Sequence, residues 1–151
     1  MREWLRLKNV KRTGWIRSGV KDAESVAAHS WGMSILAMHL CPPSLDKTKV
    51  LEMAIVHDLP EVIVGDLTPH DDTSNKAADE MDAMAKLAPQ WLEIFKEYEA
   101  QESPEAIFVK QLDKLDMSLM AEIYQQDQGL DLSEFIASAE PYVADMDLNH
   151  F

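Results

Sequence analysis

The stretch LEMAIVHDLPEVIVGD, residues 51–66, places an imidazole and a carboxylate side by side in a helical pattern. His57 and Asp58 fall where the 3.6-residue period puts apolar side chains, and Glu61 follows within one turn. Burying an isolated carboxylate is costly, so an inward-facing Asp58 needs a compensating partner. A divalent metal shared with His57 is one such partner. The alternative partner for Asp58 is a hydrogen bond to His57 or a buried arginine. Taken alone, the dipeptide HD favours this alternative over a metal.

Two other helical segments each carry one metal-competent residue on an apolar stripe. His29 lies on the stripe of ESVAAHSWGMSILAM, and Asp113 lies on that of AIFVKQLDKLDMSLMAEI. Two imidazoles and two carboxylates would form a mixed nitrogen and oxygen ligand set, which suits one ion of manganese, cobalt, iron or zinc. The sequence contains no CxxC and no HExxH motif, so it indicates neither a cysteine-based zinc site nor a zincin site.

The elements that must position these residues are predicted to be helices. Only 5 glycines and long stretches of 3.6-residue period predict an all-α domain, a single bundle of six or seven helices spanning residues 1–151. Pro60 should end or kink the helix that carries His57. RTGW is predicted as a turn, and the tail from Pro141 as loosely held. The predicted helices lie near residues 2–8, 25–39, 75–87, 89–100, 103–126 and 133–139, with a further one capped by Asp46.

The composition is that of a globular protein. Of its 151 residues, 46% are apolar and 27% are charged. Cys41 is the sole cysteine, so the chain cannot form an intrachain disulfide, which suits a reducing cytosol. No apolar run approaches the ~18 residues that a membrane span needs. We therefore expect a soluble, cytoplasmic protein without a membrane partner.

The charge is strongly negative and unevenly distributed. The formal net charge is −13, yet the first 21 residues hold seven basic residues against one acidic residue. A chain this acidic has no general attraction for duplex nucleic acid, which requires many cationic contacts to phosphates. The basic segment suits a small anionic ligand, with a solvated basic arm as the alternative.

Four blocks of the sequence, RTGW, ESVAAHS, IVHDLPEVIVGDLTP and EAIFVKQLDKLDM, occur in the order known from one family. With the signature H…HD…D, they resemble the HD-domain metal-dependent phosphohydrolases. The likeness is to the branch of bacterial 5′-deoxynucleotidases and related eukaryotic HD-domain proteins. It implies an all-helical fold, often a homodimer, that removes phosphate from nucleoside 5′-monophosphates. The matching metal ligands would be His29, His57, Asp58 and Asp113.

The resemblance also implies roles for residues around the metal. Glu61 would orient the attacking water, and Asp66 would be the general acid for the leaving 5′-oxygen. Arg12 and Trp15 would hold the phosphate and the sugar–base portion of the nucleotide. Residue types alone leave alternatives open, since Glu61 could be a solvated helix end and Asp66 a turn residue. Trp15 could be a hydrophobic plug.

The expected function is a metal-dependent phosphohydrolase that cleaves (deoxy)ribonucleoside 5′-monophosphates with metal-activated water. One alternative is a hydrolase for another phosphorylated metabolite. A second alternative is a nucleotide-binding module with a structural metal. Asp116, one turn after Asp113, is interpreted as a surface acid or as a support for a ligand.

Overall fold

Helices form nearly all the regular structure of the computed structural model, which describes residues 1–68 and 71–148. They are α1 (Arg2–Leu5), α2 (Thr13–Arg17), α3 (Val26–Leu40), α4 (Lys47–Val56), α5 (Glu61–Val64), α6 (Lys76–Leu87), α7 (Leu92–Ala100), α8 (Pro104–Gln128) and α9 (Ser133–Val143). Two 3₁₀ turns cover Arg6–Asn9 and Pro89–Trp91. The all-α prediction is confirmed. The predicted domain of residues 1–151 includes 69–70 and 149–151, which lie outside the described residues.

Side-chain caps begin the three helices that surround the candidate residues. Ser25 accepts a hydrogen bond from the Ala28 amide at the start of α3, and Ser103 caps α8 in the same way. The predicted cap Asp46 accepts a bond from the Lys49 amide at the start of α4. Each cap satisfies an amide that the first helical turn leaves unpaired, so each start is encoded locally.

The helix before Pro60 ends as expected, but α4 stops at Val56, so the prediction that this helix carries His57 is wrong. The ring of Pro60 removes a donor and would clash with the carbonyl of Val56, where α4 ends. The chain continues through a tight turn in which the Glu61 amide bonds to the Asp58 carbonyl at 3.0 Å. His57 and Asp58 therefore lie on a turn between two helices rather than within one helix.

Two predicted boundaries differ from the structure. RTGW begins the short helix α2 instead of forming a turn, with Arg12 at its N-cap position. The last helix extends through Pro141 to Val143, where the sequence predicted a loose tail. The extension is mostly exposed apart from the half-buried Val143, and α9 as a whole packs along α8.

Three apolar clusters make up the core. Met33, Met53 and Leu112 join α3, α4 and α8, and these three helices also supply or adjoin the candidate ligands. A second cluster centres on Phe95 of α7, and a third on Trp15 against α8 and α9. Within residues 1–68 and 71–148, every helix is too short or too polar to cross a bilayer.

Replacing Phe95 with alanine should lower the free energy of unfolding by about 3–5 kcal/mol, because the ring is fully buried and leaves a cavity. Urea denaturation followed by circular dichroism measures this loss. The control is Ile107→Ala on the exposed side of α8, which should change stability by no more than about 0.5 kcal/mol. Equal effects of the two substitutions would contradict this packing.

Candidate metal centre

The four predicted ligands converge where α3, the turn after α4, and α8 meet. One donor atom from each of the four residues lies within 4.8 Å of every other. His29 Nε2 is 2.8 Å from Asp113 Oδ1, and His57 Nε2 is 3.1 Å from Asp58 Oδ2. A metal with bonds of ~2.0–2.2 Å holds its donor atoms roughly 3–3.5 Å apart, so this spacing suits one ion. The structure thus brings together residues from three separate blocks of the sequence.

Hydrogen bonds on the far side of each imidazole leave the inner nitrogen free to bind a cation. His57 Nδ1 lies 2.9 Å from the Ala54 carbonyl, which can only accept, so Nδ1 carries a proton. His29 Nδ1 lies 2.6 Å from Asp116 Oδ2, which likewise accepts. In the neutral form of each ring, Nε2 then presents its lone pair to the cluster.

The inner nitrogen of His57 provides a direct test of whether these residues fit a metal. Nε2 is buried and has no hydrogen-bond partner among the described residues. An unpaired buried polar atom is costly, and here it faces two carboxylates and a second imidazole. A divalent cation satisfies all four donors together, so the residues present fit a metal.

The electrostatics of the cluster favour positive charge. Burial opposes ionisation of His57, but Asp58 and Asp113 outweigh burial and raise its pKa well above the ordinary value. Burial also opposes ionisation of Asp113, but His29 and His57 lower its pKa well below the usual range. Both directions mean that the metal-free cluster pairs ionised carboxylates with charged imidazoles, a positive charge that a bound cation would replace.

Glu61 lies beside the cluster in a different environment. It begins α5, is only 5% exposed, and its Oε2 has no hydrogen-bond partner among the described residues. Burial, together with the charges of Asp58 and Asp66, raises the pKa of Glu61 to about 10. Glu61 is therefore not a solvated helix end, and positive charge in the ligand cluster would favour its ionised form.

Asp66 joins the end of α5 to the beginning of α2. Its Oδ2 accepts a hydrogen bond from the Thr13 amide at 2.7 Å, and its carbonyl accepts one from Thr13 Oγ1 at 2.8 Å. These two bonds hold the segment carrying Arg12 beside the ligands. Asp66 also lines the cavity, so its role as general acid stays a prediction alongside this positioning role.

Glu24, which the sequence did not single out, holds the two predicted substrate-binding residues. Its Oε1 accepts a hydrogen bond from Trp15 Nε1 at 3.1 Å and lies 3.9 Å from Arg12 Nε. Trp15 is 1% exposed and packs against Phe135 with ring centroids 4.6 Å apart. The stacking role of Trp15 stays a prediction, and its visible role is that of a plug. A local pattern cannot reveal Glu24, since its partners lie in another segment.

A cavity of about 600 Å³ opens from the ligand cluster to the surface. Arg12, Lys110 and Lys114 supply positive charge to its wall, and α9 adds Phe135. Lys114 also lies over the ring of Tyr142, with Nζ 5.4 Å from the centroid. The sequence did not reveal that the two lysines and the last helix line the cavity, because ordinary surface helices carry the same residue types.

Comparison with known proteins identifies a consistent set of relatives. Residues 5–148 match the sequence profile described as HD domain. The 5′-deoxynucleotidase hdd1 of Schizosaccharomyces pombe is 38% identical over 148 residues, which cover 86% of this chain and 74% of that protein. The 5′-deoxynucleotidase HDDC2 of Danio rerio is 40% identical over 146 residues, covering 89% of this chain and 73% of the relative.

Solved structures show the same fold. A conserved hypothetical protein from Pyrococcus furiosus has a TM-score of 0.84 at 34% identity, covering 95% of this chain and 92% of its own. The HD phosphohydrolase DatZ of cyanophage S-2L, solved with dA and one catalytic Zn²⁺ ion, has a TM-score of 0.70 at 22% identity. That match covers 98% of this chain and 86% of the phage protein. At this lower identity, the likeness shows the fold alone.

Glu80, on the cavity wall, should make the metal-free protein less stable as the pH rises. Burial raises its pKa to about 7 from 4.5, so the folded state holds a proton that the unfolded state releases between these values. Glu80→Gln should remove this penalty, which screening limits to about 1–2 kcal/mol between pH 5 and 8. Urea denaturation with a chelator present measures the difference.

The matched control for Glu80 is Glu93→Gln, since Glu93 lies on the exposed side of α7 with its side chain 90% accessible. This variant should follow the pH dependence of the wild type. A Glu80→Gln variant whose stability also tracks the wild type at every pH would contradict the burial of Glu80.

Proposed function

The chain belongs to the HD-domain family, and on this premise we propose that it is a metal-dependent phosphohydrolase of nucleoside 5′-monophosphates, with a preference for deoxyribonucleotides. The observation that carries the proposal is the four-donor cluster opening into a cavity that also contains Glu61 and Arg12. Relatives 38% and 40% identical bear the name 5′-deoxynucleotidase. An HD phosphohydrolase of the same fold binds dA and Zn²⁺, which further supports this substrate class.

His29, His57, Asp58 and Asp113 are the proposed ligands of one divalent ion. Their mixed nitrogen and oxygen donors suit manganese, cobalt, iron or zinc. When bound, such an ion acts as a Lewis acid that polarises the phosphoryl oxygen and lowers the pKa of water. The protein supplies the remaining chemistry through residues that already line the cavity.

The catalytic residues proposed are Glu61 and Asp66. Ionised Glu61 accepts a hydrogen bond from the attacking water and aligns its lone pair with phosphorus. Asp66, which lines the same cavity, donates a proton to the 5′-oxygen as the P–O bond breaks. Arg12 neutralises charge on the phosphoryl oxygens, and Lys114 adds positive charge on the same wall.

Two alternatives share the metal centre but differ in outcome. A hydrolase for another phosphorylated metabolite would leave nucleotides intact and release phosphate from a different monoester. A nucleotide-binding module would need the ligands and Arg12 but not a buried carboxylate beside them. The burial of Glu61 at the cavity therefore supports an enzyme.

Replacing Glu61 with alanine should reduce phosphate release at least 100-fold, because the general base is lost, while about one metal ion per chain remains bound. The measurements are phosphate release from a panel of nucleoside monophosphates with Mn²⁺ or Co²⁺, and elemental analysis of the purified protein. Glu93→Ala is the matched control, an exposed glutamate that should leave both unchanged.

Full activity of Glu61→Ala would remove Glu61 from the mechanism. Release from a sugar phosphate but from no nucleotide would favour the other hydrolase. Wild-type protein that binds metal and nucleotide without releasing phosphate would favour the binding module.

A homodimer is proposed as the working state. The face that supports it carries Trp31, Ile35 and Met38 at helical spacing on α3, with Trp31 69% exposed. Beside them lies an apolar groove of about 550 Å³, lined by Trp31, Ile55 and Trp91 among others. A projecting aromatic side chain next to a groove on the same face can pair with a second copy about a two-fold axis.

Trp31→Glu should convert a dimer to a monomer, because the substitution places a charge in the apolar contact. Sedimentation velocity of each variant at matched concentration measures the mass. Ile123→Glu on α8, where the isoleucine is 46% exposed and outside the groove, should leave the mass unchanged. A wild-type monomer, or a dimer in Trp31→Glu, would contradict this face as the interface.

We also place the protein in the cytoplasm. Cys41 is a free thiol that lies partly exposed, and free thiols persist in reducing compartments.

A further inference from the structure

Asp116 supports the metal centre without lining the cavity. It follows Asp113 by one turn of α8 and is 7% exposed. Its Oδ2 lies 2.6 Å from Nδ1 of His29, while Nε2 on the other side of the same ring lies 2.8 Å from Asp113. One helix thus places a carboxylate on both sides of an imidazole that belongs to another helix. With Nδ1–H bonded to Asp116, Nε2 and Asp113 Oδ1 face each other as two donors for a cation.

Gly32 makes room for this contact. It lies three residues after His29, on the same side of α3. Glycine is unfavourable within a helix, but here any larger residue would be obstructed. A Cβ atom built on Gly32 would overlap Oδ1 of Asp116. The missing side chain therefore lets the Asp116 carboxylate rest against the backbone of α3 at the level of the His29 ring.

We propose that Asp116, seated against Gly32, is a positioning residue that fixes the tautomer and orientation of His29 for metal binding. The inference rests on the proposed metal site. Asp116 accepts a hydrogen bond from Nδ1–H, so the lone pair of Nε2 points into the cluster and the carboxylate increases the electron density of the ring. Rotation of the His29 ring would break the buried hydrogen bond between Nδ1 and Asp116.

His57 shows why this support is particular to His29. Nδ1 of His57 bonds to the carbonyl of Ala54 in its own chain segment, and this contact carries no net charge. His29 instead depends on a charged group from α8, so its orientation requires correct packing of two helices. We therefore expect His29 to be the ligand that responds most to changes at the contact between α3 and α8.

The test is titration of metal-free protein with Co²⁺, since its visible absorption reports both affinity and coordination geometry. Asp116→Asn preserves shape but removes the charge, and its amide can hold the wrong tautomer. It should weaken Co²⁺ binding by about 10–100-fold and alter the absorption bands. Gly32→Ala should give a loss of similar size, because the added Cβ displaces Asp116 without changing any ionisable group.

The double variant separates positioning from general destabilisation. If Gly32 acts through Asp116, the double variant should bind Co²⁺ no more weakly than Asp116→Asn alone. Asp127→Asn, an exposed aspartate on α8, is the control and should bind like the wild type. Circular dichroism melting confirms that each variant is folded at the temperature of the titration.

The outcomes distinguish this inference from the proposed function. Wild-type protein that takes up no Co²⁺ would overturn the metal site itself. Wild-type binding with unchanged affinity and spectrum in Asp116→Asn would overturn the positioning role alone. A double variant that loses the sum of the two single effects would show that Gly32 acts independently of Asp116.

Discussion

The burial of two imidazoles among carboxylates is the constraint on which the rest of the structure depends. Nε2 of His57 has no hydrogen-bond partner among the described residues, and its nearest polar neighbours are acids. Such a cluster is stable only when a cation lies among its donors or when protons take its place. The fold must therefore bring α3, α8 and the end of α4 together at the cluster. The apolar residues around them stabilise this packing.

Proline and capping residues convert this constraint into chain geometry. Pro60 ends α4 early, so His57 and Asp58 project from a turn, and Glu61 begins a new helix three residues after Asp58. Asp66 then accepts a hydrogen bond from the Thr13 amide, and this contact holds the neighbouring Arg12 at the cavity. Local features of the backbone, such as helix termination by proline, thus help to place side chains from distant segments around one cavity.

Sequence periodicity predicted most of the helices and placed each candidate ligand on an apolar face, because both depend on local patterns. The family resemblance supplied their grouping into one set, His29, His57, Asp58 and Asp113. The candidate ligand His29 interrupts an apolar stripe, and this interruption is visible in the sequence pattern itself. Glu24 and Lys114 could not be found in this way, since their roles depend on partners in other segments. The sequence also left open whether Trp15 is a buried plug or a stacking face for a ligand. A tryptophan after glycine fits either role, and the choice depends on partners in other segments.

The last helix places part of the cavity late in the chain. All four donors of the cluster precede residue 114, whereas Phe135 and Tyr142 belong to α9. Sequence changes in α9 can therefore reshape this part of the cavity wall while every candidate metal donor stays in place.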